Sequence, residues 1–163
     1  MRKSAFAPLV TRRTRVLILG SLPGEASLAA QRYYAHPQNQ FWRLAAAVIE
    51  RDDLPALDYD ARLEALLAAR VGLWDTIASA MRRGSLDAEI RDAEPAQLAQ
   101  LVATLPGLRA VGFNGKTSAK IGRAQLAGTA LALVDLPSSS PAHAARSFAQ
   151  KRERWLQLQQ FLA

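Results

Sequence analysis

The sequence predicts an α/β protein in which helices pack against a mostly parallel sheet. Short apolar runs indicate buried strands, and segments with apolar residues at helical spacing lie between them. Loops containing Gly, Pro and Ser separate the two kinds of segment. Strands that alternate with helices are typical of a layered fold. With 163 residues, half of them apolar, and no repeats, residues 1–163 are predicted to form a single domain.

Four segments are predicted to be strands, because each is a short apolar run next to a turn signal. They are residues 15–20, 71–75, 109–114 and 129–137. The first of them, RVLILG, ends in Gly20, and Pro23 and Gly24 mark the loop that follows.

Helices are predicted from the apolar spacing and from proline near several helix starts. The predicted helices are residues 38–49, 60–69, 75–82, 95–104, 116–126 and 146–162. The segments SLPGEAS, GSLDAEIRDAEP and SSSPAHAA are predicted to be loops. Asp75 is predicted to cap the helix that begins at its position.

The loops that leave the carboxyl ends of parallel strands usually form the binding site of such a sheet. Here these loops are SLPGEAS (21–27), FNGKTS (113–118) and LPSSSPAH (136–143). An aromatic stretch, RYYAHPQNQFW (32–42), lies between the first loop and the following helix. Its four aromatic rings stand beside a histidine and an asparagine, so we expect it to reach the same crevice.

Composition narrows the possible partners. The formal net charge of +7 favours nucleic acid, because phosphates attract Lys and Arg, although an ordinary basic protein remains an alternative. The absence of cysteine excludes disulfides and thiolate metal sites. Only two histidines occur and they lie far apart in sequence, so we predict no metal and no cofactor. No apolar run approaches the ~20 residues of a membrane span, and no secretory signal is evident, which predicts a cytoplasmic protein without membrane contact.

A nucleotide-hydrolase interpretation has some support. AVGFNGKT (110–117) nearly matches the phosphate-loop pattern, with Ala110 in place of the first glycine, and LALVD (131–135) resembles a strand that ends in a magnesium-binding Asp. However, residues 109–113 are themselves predicted to be a strand, which leaves almost no loop to surround phosphates. This alternative predicts nucleotide binding that weakens on Lys116→Ala.

Taken together, three parts of the chain resemble the uracil-DNA glycosylase superfamily. They are GSLPGEAS (20–27) with YYAHPQNQFW (33–42), then GFNG (112–115), then LPSSSPAH (136–143). The pattern is most similar to the hypoxanthine-DNA glycosylase (DNA-deoxyinosine glycosylase) branch, which is related to the mismatch-specific uracil/thymine-DNA glycosylases. The resemblance implies a three-layer α/β/α fold with a central, mostly parallel four-stranded sheet. It also implies an enzyme that removes deaminated bases, hypoxanthine first and uracil second, from DNA. No lysine is clearly placed for Schiff-base chemistry, so we predict a monofunctional enzyme, and a monomer suits an enzyme that scans DNA.

The resemblance also implies which residues act. In the mismatch-specific relatives an asparagine of the first loop positions the attacking water, but Leu22 stands at that position here. The hypoxanthine branch carries its important asparagine downstream, which corresponds to Asn39. The aromatic residue that stacks on the flipped base corresponds to Tyr34, and Asn114 matches a polar position of the base pocket.

Chemical reasoning adds roles to these positions. Asn39, Ser21 and His36 are the candidate catalytic residues, since hydrolysis needs a placed water and donors for the leaving base. The candidate base-binding residues are Tyr34, Leu22, Pro23, Gly24 and Asn114. The resemblance implies that the loop 138–143 inserts into the duplex and contacts phosphates, so the candidate DNA-binding residues are Ser138, Ser139, Ser140, Pro141, Ala142, His143 and Arg146. Asn39 could instead cap the helix beside it, and the whole chain could be a basic DNA-binding module without catalysis.

Overall fold

The computed structural model describes residues 2–143 and 145–163 and contains two sheets. The strands are β1 (Arg2–Ser4), β2 (Val16–Gly20), β3 (Val71–Asp75), β4 (Ile77–Arg82), β5 (Ile90–Pro95), β6 (Ala110–Asn114) and β7 (Ala132–Leu136). The central sheet has four parallel strands in the order β3-β2-β6-β7. The four strands predicted from apolar runs are these four, with ends that differ by up to three residues. The prediction of an α/β fold around a parallel sheet is confirmed.

Most predicted helices are confirmed as well. The helices are α1 (Glu25–Ala30), α2 (Phe41–Ile49), α3 (Tyr59–Ala68), α4 (Leu98–Ala103), α5 (Lys116–Leu126) and α6 (Phe148–Trp155). Short 3-10 segments cover Leu54–Ala56, Asp87–Glu89 and Leu156–Phe161, the last of which continues α6. The short helix α1 lies in a segment that was predicted to be a loop, and α2 begins at Phe41 rather than at Gln38.

The helices lie on both faces of the central sheet, which gives three layers. Side chains of β2 alternate between the two faces, as the strand pleat requires. Ile18 packs with Phe41 of α2 and Trp155 of α6 in one core, whereas Leu19 packs with Leu126 of α5 in the other. The whole of β2 is therefore buried, which explains its unbroken apolar sequence VLILG.

The second sheet is antiparallel, has the order β1-β4-β5, and was not predicted. The prediction of a helix over residues 75–82 is wrong, because residues 77–82 form β4 between β1 and β5. The prediction of a loop over residues 84–95 is also wrong, since β5 lies there. Alanine-rich IASAMR has no strong strand preference, and pairing with two distant segments decides its conformation.

This second sheet changes the interpretation of Asp75. No helix begins at Asp75, so its predicted capping role is wrong. Instead Asp75 ends β3, and β4 starts only two residues later. The backbone N–H groups of Thr76 and Ile77 donate to the carbonyl oxygens of Gly20 and Ser21, which holds the start of β4 against the end of β2.

The fold can be compared with the nucleotide-hydrolase interpretation of the sequence. Gly115 alone separates β6 from α5, so the AVGFNGKT segment is strand and helix with no loop of the length that surrounds phosphates. Within the described part of the chain, no helix combines the length and apolar character needed to cross a membrane.

Candidate active site

A cleft with a volume of about 770 Å³ opens at the carboxyl edge of the central sheet. The loops after β2, β6 and β7 line it together with the aromatic segment 33–39. Every predicted site residue lines this cleft: Ser21, Leu22, Pro23, Gly24, Tyr34, His36, Asn39, Asn114, Ser138, Ser139, Ser140, Pro141, Ala142, His143 and Arg146. Parallel strands bring these loops together because their carboxyl ends meet at one edge.

Tyr34 is held in place by its backbone and by a ring beneath it. Its φ angle is +53° and its carbonyl oxygen accepts a hydrogen bond from Trp42 Nε1 at 3.1 Å. The ring is stacked on Phe41 with a centroid distance of 3.9 Å and an interplanar angle of 9°. Because Phe41 is fully buried and covers one face of Tyr34, a base that stacks on Tyr34 must use the opposite face.

Asn39 lies in a turn that leads into α2. Its backbone N–H donates to the His36 carbonyl oxygen at 3.0 Å, and its Oδ1 accepts from the Phe41 N–H at 2.9 Å. Gln40 occupies the N-cap position of α2 without a side-chain cap, and Asn39, one residue earlier, bonds the N–H of the first helical residue instead. Asn39 Nδ2 has no hydrogen-bond acceptor among the residues that the structure describes, so the amide remains free to donate in the cleft.

Asn114, at the end of β6, joins the third loop to Tyr34. Its Oδ1 accepts from the Ser139 N–H at 2.9 Å, and its Nδ2 donates to Ser139 Oγ at 2.9 Å and to the Tyr34 hydroxyl at 3.4 Å. Ser139 is only 1% exposed. In this conformation Asn114 organises the pocket wall, and Ser139 is enclosed rather than offered to a phosphate.

Helix α6 supports the same loop from behind. Trp155 Nε1 donates to the Pro137 carbonyl oxygen at 2.9 Å. The buried Lys151 donates through Nζ to Gln40 Oε1 at 2.9 Å, and the Gln40 N–H donates to the Ser139 carbonyl oxygen at 3.0 Å. These contacts fix the distance between the aromatic segment and the Ser138–Ser140 loop.

The first loop is shaped by Arg82, a buried residue of β4. Its guanidinium donates to the carbonyl oxygens of Leu22 and Pro23. The Leu22 side chain packs against Ile77 and Ala80 of the second sheet, so this residue reaches the cleft mainly through its backbone. No acceptor for the N–H groups of Leu22 and Gly24 is found in the described part of the chain, which leaves both able to donate to a ligand.

Asp75 completes the floor of the cleft. It is 4% exposed, and its Oδ2 has no hydrogen-bond partner within residues 2–143 and 145–163. A Cβ at position 20 would lie 2.7 Å from Asp75 Oδ1 and 3.2 Å from the Tyr34 hydroxyl, so the site requires Gly20. Burial, reinforced by the charge of Asp87 and opposed by that of Arg82, raises the pKa of Asp75 to about 7.

Cations surround the opening of the cleft. Lys116, Arg146 and Arg154 line it and are exposed. Desolvation lowers the pKa of His143, and the nearby charges of Lys151, Lys116 and Arg146 lower it further. The lowered pKa of His143 disfavours its charged form, so the positive potential at the opening comes mainly from Lys116, Arg146 and Arg154.

Comparison with known proteins shows the family of the chain. The family model for the uracil DNA glycosylase superfamily matches residues 7–159. The chain belongs to the uracil DNA glycosylase superfamily. The resemblance inferred from the sequence motifs is confirmed.

Individual relatives cover most of the chain. A hypoxanthine DNA glycosylase of Methanosarcina barkeri is 44% identical over 118 residues, which are 72% of this chain and 74% of that protein. A hypoxanthine DNA glycosylase of Methanosarcina acetivorans is 37% identical over 153 residues, which are 94% of each. A solution NMR structure of a Methanosarcina acetivorans protein assigned to the uracil DNA glycosylases superposes with a TM-score of 0.88 at 34% identity and covers 99% of each chain.

Several residues of this superfamily member's cleft were missed from the sequence. Asp87 accepts from Ser21 Oγ at 2.7 Å, and Arg82 holds the first loop. Asp75 differs from these two: the sequence allowed either a substrate contact or a helix cap at this position, and the cap was preferred because residues 75–82 were predicted to be a helix.

The described residues contain no group of three or more His, Asp or Glu side chains placed to hold a metal ion.

Proposed function

We propose that this superfamily member is a monofunctional DNA glycosylase that hydrolyses the N-glycosidic bond of hypoxanthine in DNA and accepts uracil less well. The main support is one cleft in which a stacked aromatic platform, a free amide and free backbone N–H groups lie side by side. The names of its relatives in Methanosarcina barkeri and Methanosarcina acetivorans agree with this substrate.

The target base must first leave the duplex, which costs a few kcal/mol for unstacking and unpairing. Stacking on an aromatic ring returns about 1–3 kcal/mol per base. The free face of Tyr34 supplies this ring, and Phe41 supports it from below. Because the π-face accepts any base, Tyr34 contributes affinity and polar groups must contribute selectivity.

Bond cleavage produces a cationic sugar and an electron-rich leaving base. Donors placed where negative charge develops stabilise this transition state. The N–H groups of Leu22 and Gly24 are proposed to meet the oxygen of the leaving base. Asn39 is proposed to hold the attacking water through Nδ2, while His36 and Ser21 keep the surrounding turns in place.

The third loop and its neighbours are proposed to grip the DNA backbone. Ser138, Ser140 and His143 line the cleft on one side, with Arg146 and Lys116 at its opening. Phosphate contacts of this kind position the duplex without reading its sequence. Pro141 and Ala142 are exposed at the tip of the loop and are proposed to fill the space that the flipped base vacates.

The decisive experiment is a panel of duplexes that carry a single hypoxanthine, uracil, mismatched thymine or xanthine. After incubation with the protein, alkali converts each abasic site into a strand break that is measured on a gel. We expect breaks with hypoxanthine, fewer with uracil, and none before alkali is added. Absence of product from both bases, while a known glycosylase is active under the same conditions, would contradict the proposal.

The alternative functions predict other results, either with this panel or in a nucleotide-binding measurement. A non-catalytic DNA-binding module would bind the duplexes in a salt-sensitive manner and release no base. A nucleotide hydrolase would bind ATP or GTP and lose that binding on Lys116→Ala.

We also propose that the protein is cytoplasmic and acts as a monomer, which suits an enzyme that scans DNA. Sedimentation with and without a short duplex tests the monomer.

A further inference from the structure

The Asp75 carboxyl stands out because it is buried, unpartnered and part of the cleft wall. A carboxyl at the end of a buried strand normally accepts hydrogen bonds from backbone or side chains. Here Oδ2 has no partner within the described residues, and Oδ1 and the Tyr34 hydroxyl both lie in the space that a side chain at Gly20 would occupy. A polar atom left in this state is a candidate for contact with the substrate.

The groups packed around Asp75 favour its neutral form. Desolvation acts most strongly, and the negative charge of Asp87, in the 3-10 segment between β4 and β5, acts in the same direction. The guanidinium of Arg82 on β4 opposes them, but it donates to the first loop and not to Asp75. Tyr33 and Tyr34 are the other titratable groups that interact with it, and both are neutral at ordinary pH because burial raises the pKa of each hydroxyl.

A neutral carboxyl in the cleft can donate a proton, which neither an amide nor a backbone N–H can do. Purine and pyrimidine bases differ in what they offer to such an acid. Hypoxanthine has the basic ring nitrogen N7 beside its O6, whereas uracil has no equivalent nitrogen. A purine protonated on N7 leaves as a neutral base, which lowers the barrier for breaking the bond to the sugar.

We propose that Asp75 is the general acid that protonates N7 of hypoxanthine as the base departs. This assignment rests on the proposed function and adds the residue that distinguishes the purine from uracil. The carboxyl O–H bond breaks and an N7–H bond forms. The N9–C1′ bond then breaks with its electron pair on the base, which leaves neutral. Water adds to the cationic C1′, and the proton that this water loses restores Asp75 directly or through solvent.

The test measures single-turnover release from a hypoxanthine duplex between pH 5 and pH 9, with the full chain. For the wild type we expect the rate to fall as pH rises through the pKa of Asp75, since the deprotonated form cannot donate. Asp75→Asn retains the shape of the side chain and lacks the acid. We expect it to be slower by about 10²–10⁴-fold below pH 7, the range typical of general acids, and to have a flat pH profile.

A substrate change tests the assignment independently of any variant. In 7-deazahypoxanthine a C–H group replaces N7. Wild-type protein should lose both rate and pH dependence on this substrate, and Asp75→Asn should cleave it no more slowly than the wild type does. On a uracil duplex the variant should lose much less than on hypoxanthine. Asp53→Asn, an exposed aspartate away from the cleft, should leave all these rates unchanged.

The outcomes separate the two proposals. If the wild type releases no hypoxanthine, the proposed function and the role of Asp75 both fail. If the wild type is active but Asp75→Asn keeps its rate and pH profile, only the role of Asp75 fails. It also fails if 7-deazahypoxanthine retains the pH dependence of the wild type, and this result does not depend on the folding of a variant.

Discussion

The oxygen and the nitrogen of the Asn39 side-chain amide differ in their contacts. Oδ1 caps the start of α2 through the Phe41 N–H, while Nδ2 has no acceptor within the described residues. The sequence left open whether Asn39 has a structural or a catalytic role, and these contacts are compatible with both. One side chain can fix the turn with its oxygen and present its nitrogen to the cleft.

Substitutions at Asn39 separate these two functions. Asn39→Ala removes both, and Asn39→Ser retains an oxygen that can cap the helix. We expect both variants to lose hypoxanthine release by orders of magnitude, while only Asn39→Ala loses about 1 kcal/mol of unfolding free energy. Urea denaturation and single-turnover release provide the two measurements. Near-normal release by Asn39→Ser would remove Asn39 from catalysis.

Asp75 makes a prediction for stability as well as for activity. Its pKa in the folded protein is raised to about 7, above the value of an unfolded chain, so the folded state binds the extra proton. The unfolding free energy must therefore contain a contribution that is present below about pH 4 and is lost as pH rises to about 7. We expect Asp75→Asn to lack this loss and to exceed the wild type at pH 8 by up to about 4 kcal/mol, since each unit of the pKa change corresponds to about 1.4 kcal/mol.

Urea denaturation at pH 4 and at pH 8 measures this difference. Asp53 is a control of opposite sign, because a hydrogen bond from Arg51 lowers the pKa of Asp53. Asp53→Asn should lose a little stability at pH 8 and less at pH 4. If Asp75→Asn shows no relative gain between the two pH values, the Asp75 carboxyl is not buried in neutral form.

At the scale of elements, the second sheet holds the first loop of the site. Arg82 of β4 donates hydrogen bonds to the Leu22 and Pro23 carbonyl oxygens. On the other side α6 fixes the third loop through Trp155 and Lys151. The site loops are therefore short segments held from behind by regular elements, an arrangement that keeps donors oriented before substrate binds.

Helix α5 approaches β6 closely at one residue. A Cβ on Gly122 would overlap the fully buried ring of Phe113, with Cδ1 only 2.8 Å away. Alanine favours a helix over glycine by about 1 kcal/mol, but overpacking costs about 1–3 kcal/mol. We expect Gly122→Ala to lower the melting temperature despite its better helix propensity.

Thermal denaturation compares Gly122→Ala with Lys120→Ala, an exposed position on the same helix. The control should change unfolding free energy by no more than about 0.5 kcal/mol. A melting temperature for Gly122→Ala equal to or above that of the wild type would mean that Phe113 has room to move.

At the scale of the whole molecule, the net charge of +7 and the cations at the cleft predict how DNA binds. Each neutralised phosphate contributes a slope of about −0.9 when the logarithm of affinity is plotted against that of salt. Lys116 and Arg146 lie at the opening of the cleft. We expect the double variant Lys116→Ala/Arg146→Ala to have a slope less steep by about two.

Fluorescence anisotropy with an undamaged duplex at several salt concentrations measures these slopes. The control is Arg12→Ala/Arg13→Ala, which removes the same charge just before β2, at the opposite edge of the sheet. This control should retain the slope of the wild type. Equal changes in both double variants would show that total charge, and not the cleft, determines binding.

The sequence by itself determined the four parallel strands, because each is a short apolar run next to a turn signal, and burial on both faces explains the unbroken apolar run of the central strand β2. It also determined the three loops and the aromatic segment of the site, since a parallel sheet brings strand ends to one edge and the motifs matched a known superfamily. Only the tertiary structure decided that residues 77–82 form a strand. Their alanines favour a helix by a small amount, and pairing with β1 and β5 favours the strand by more. For the same reason only the structure could place Asp75: its burial and its missing partner depend on Gly20, Tyr34 and Asp87, which are distant in sequence and adjacent only once both sheets have formed.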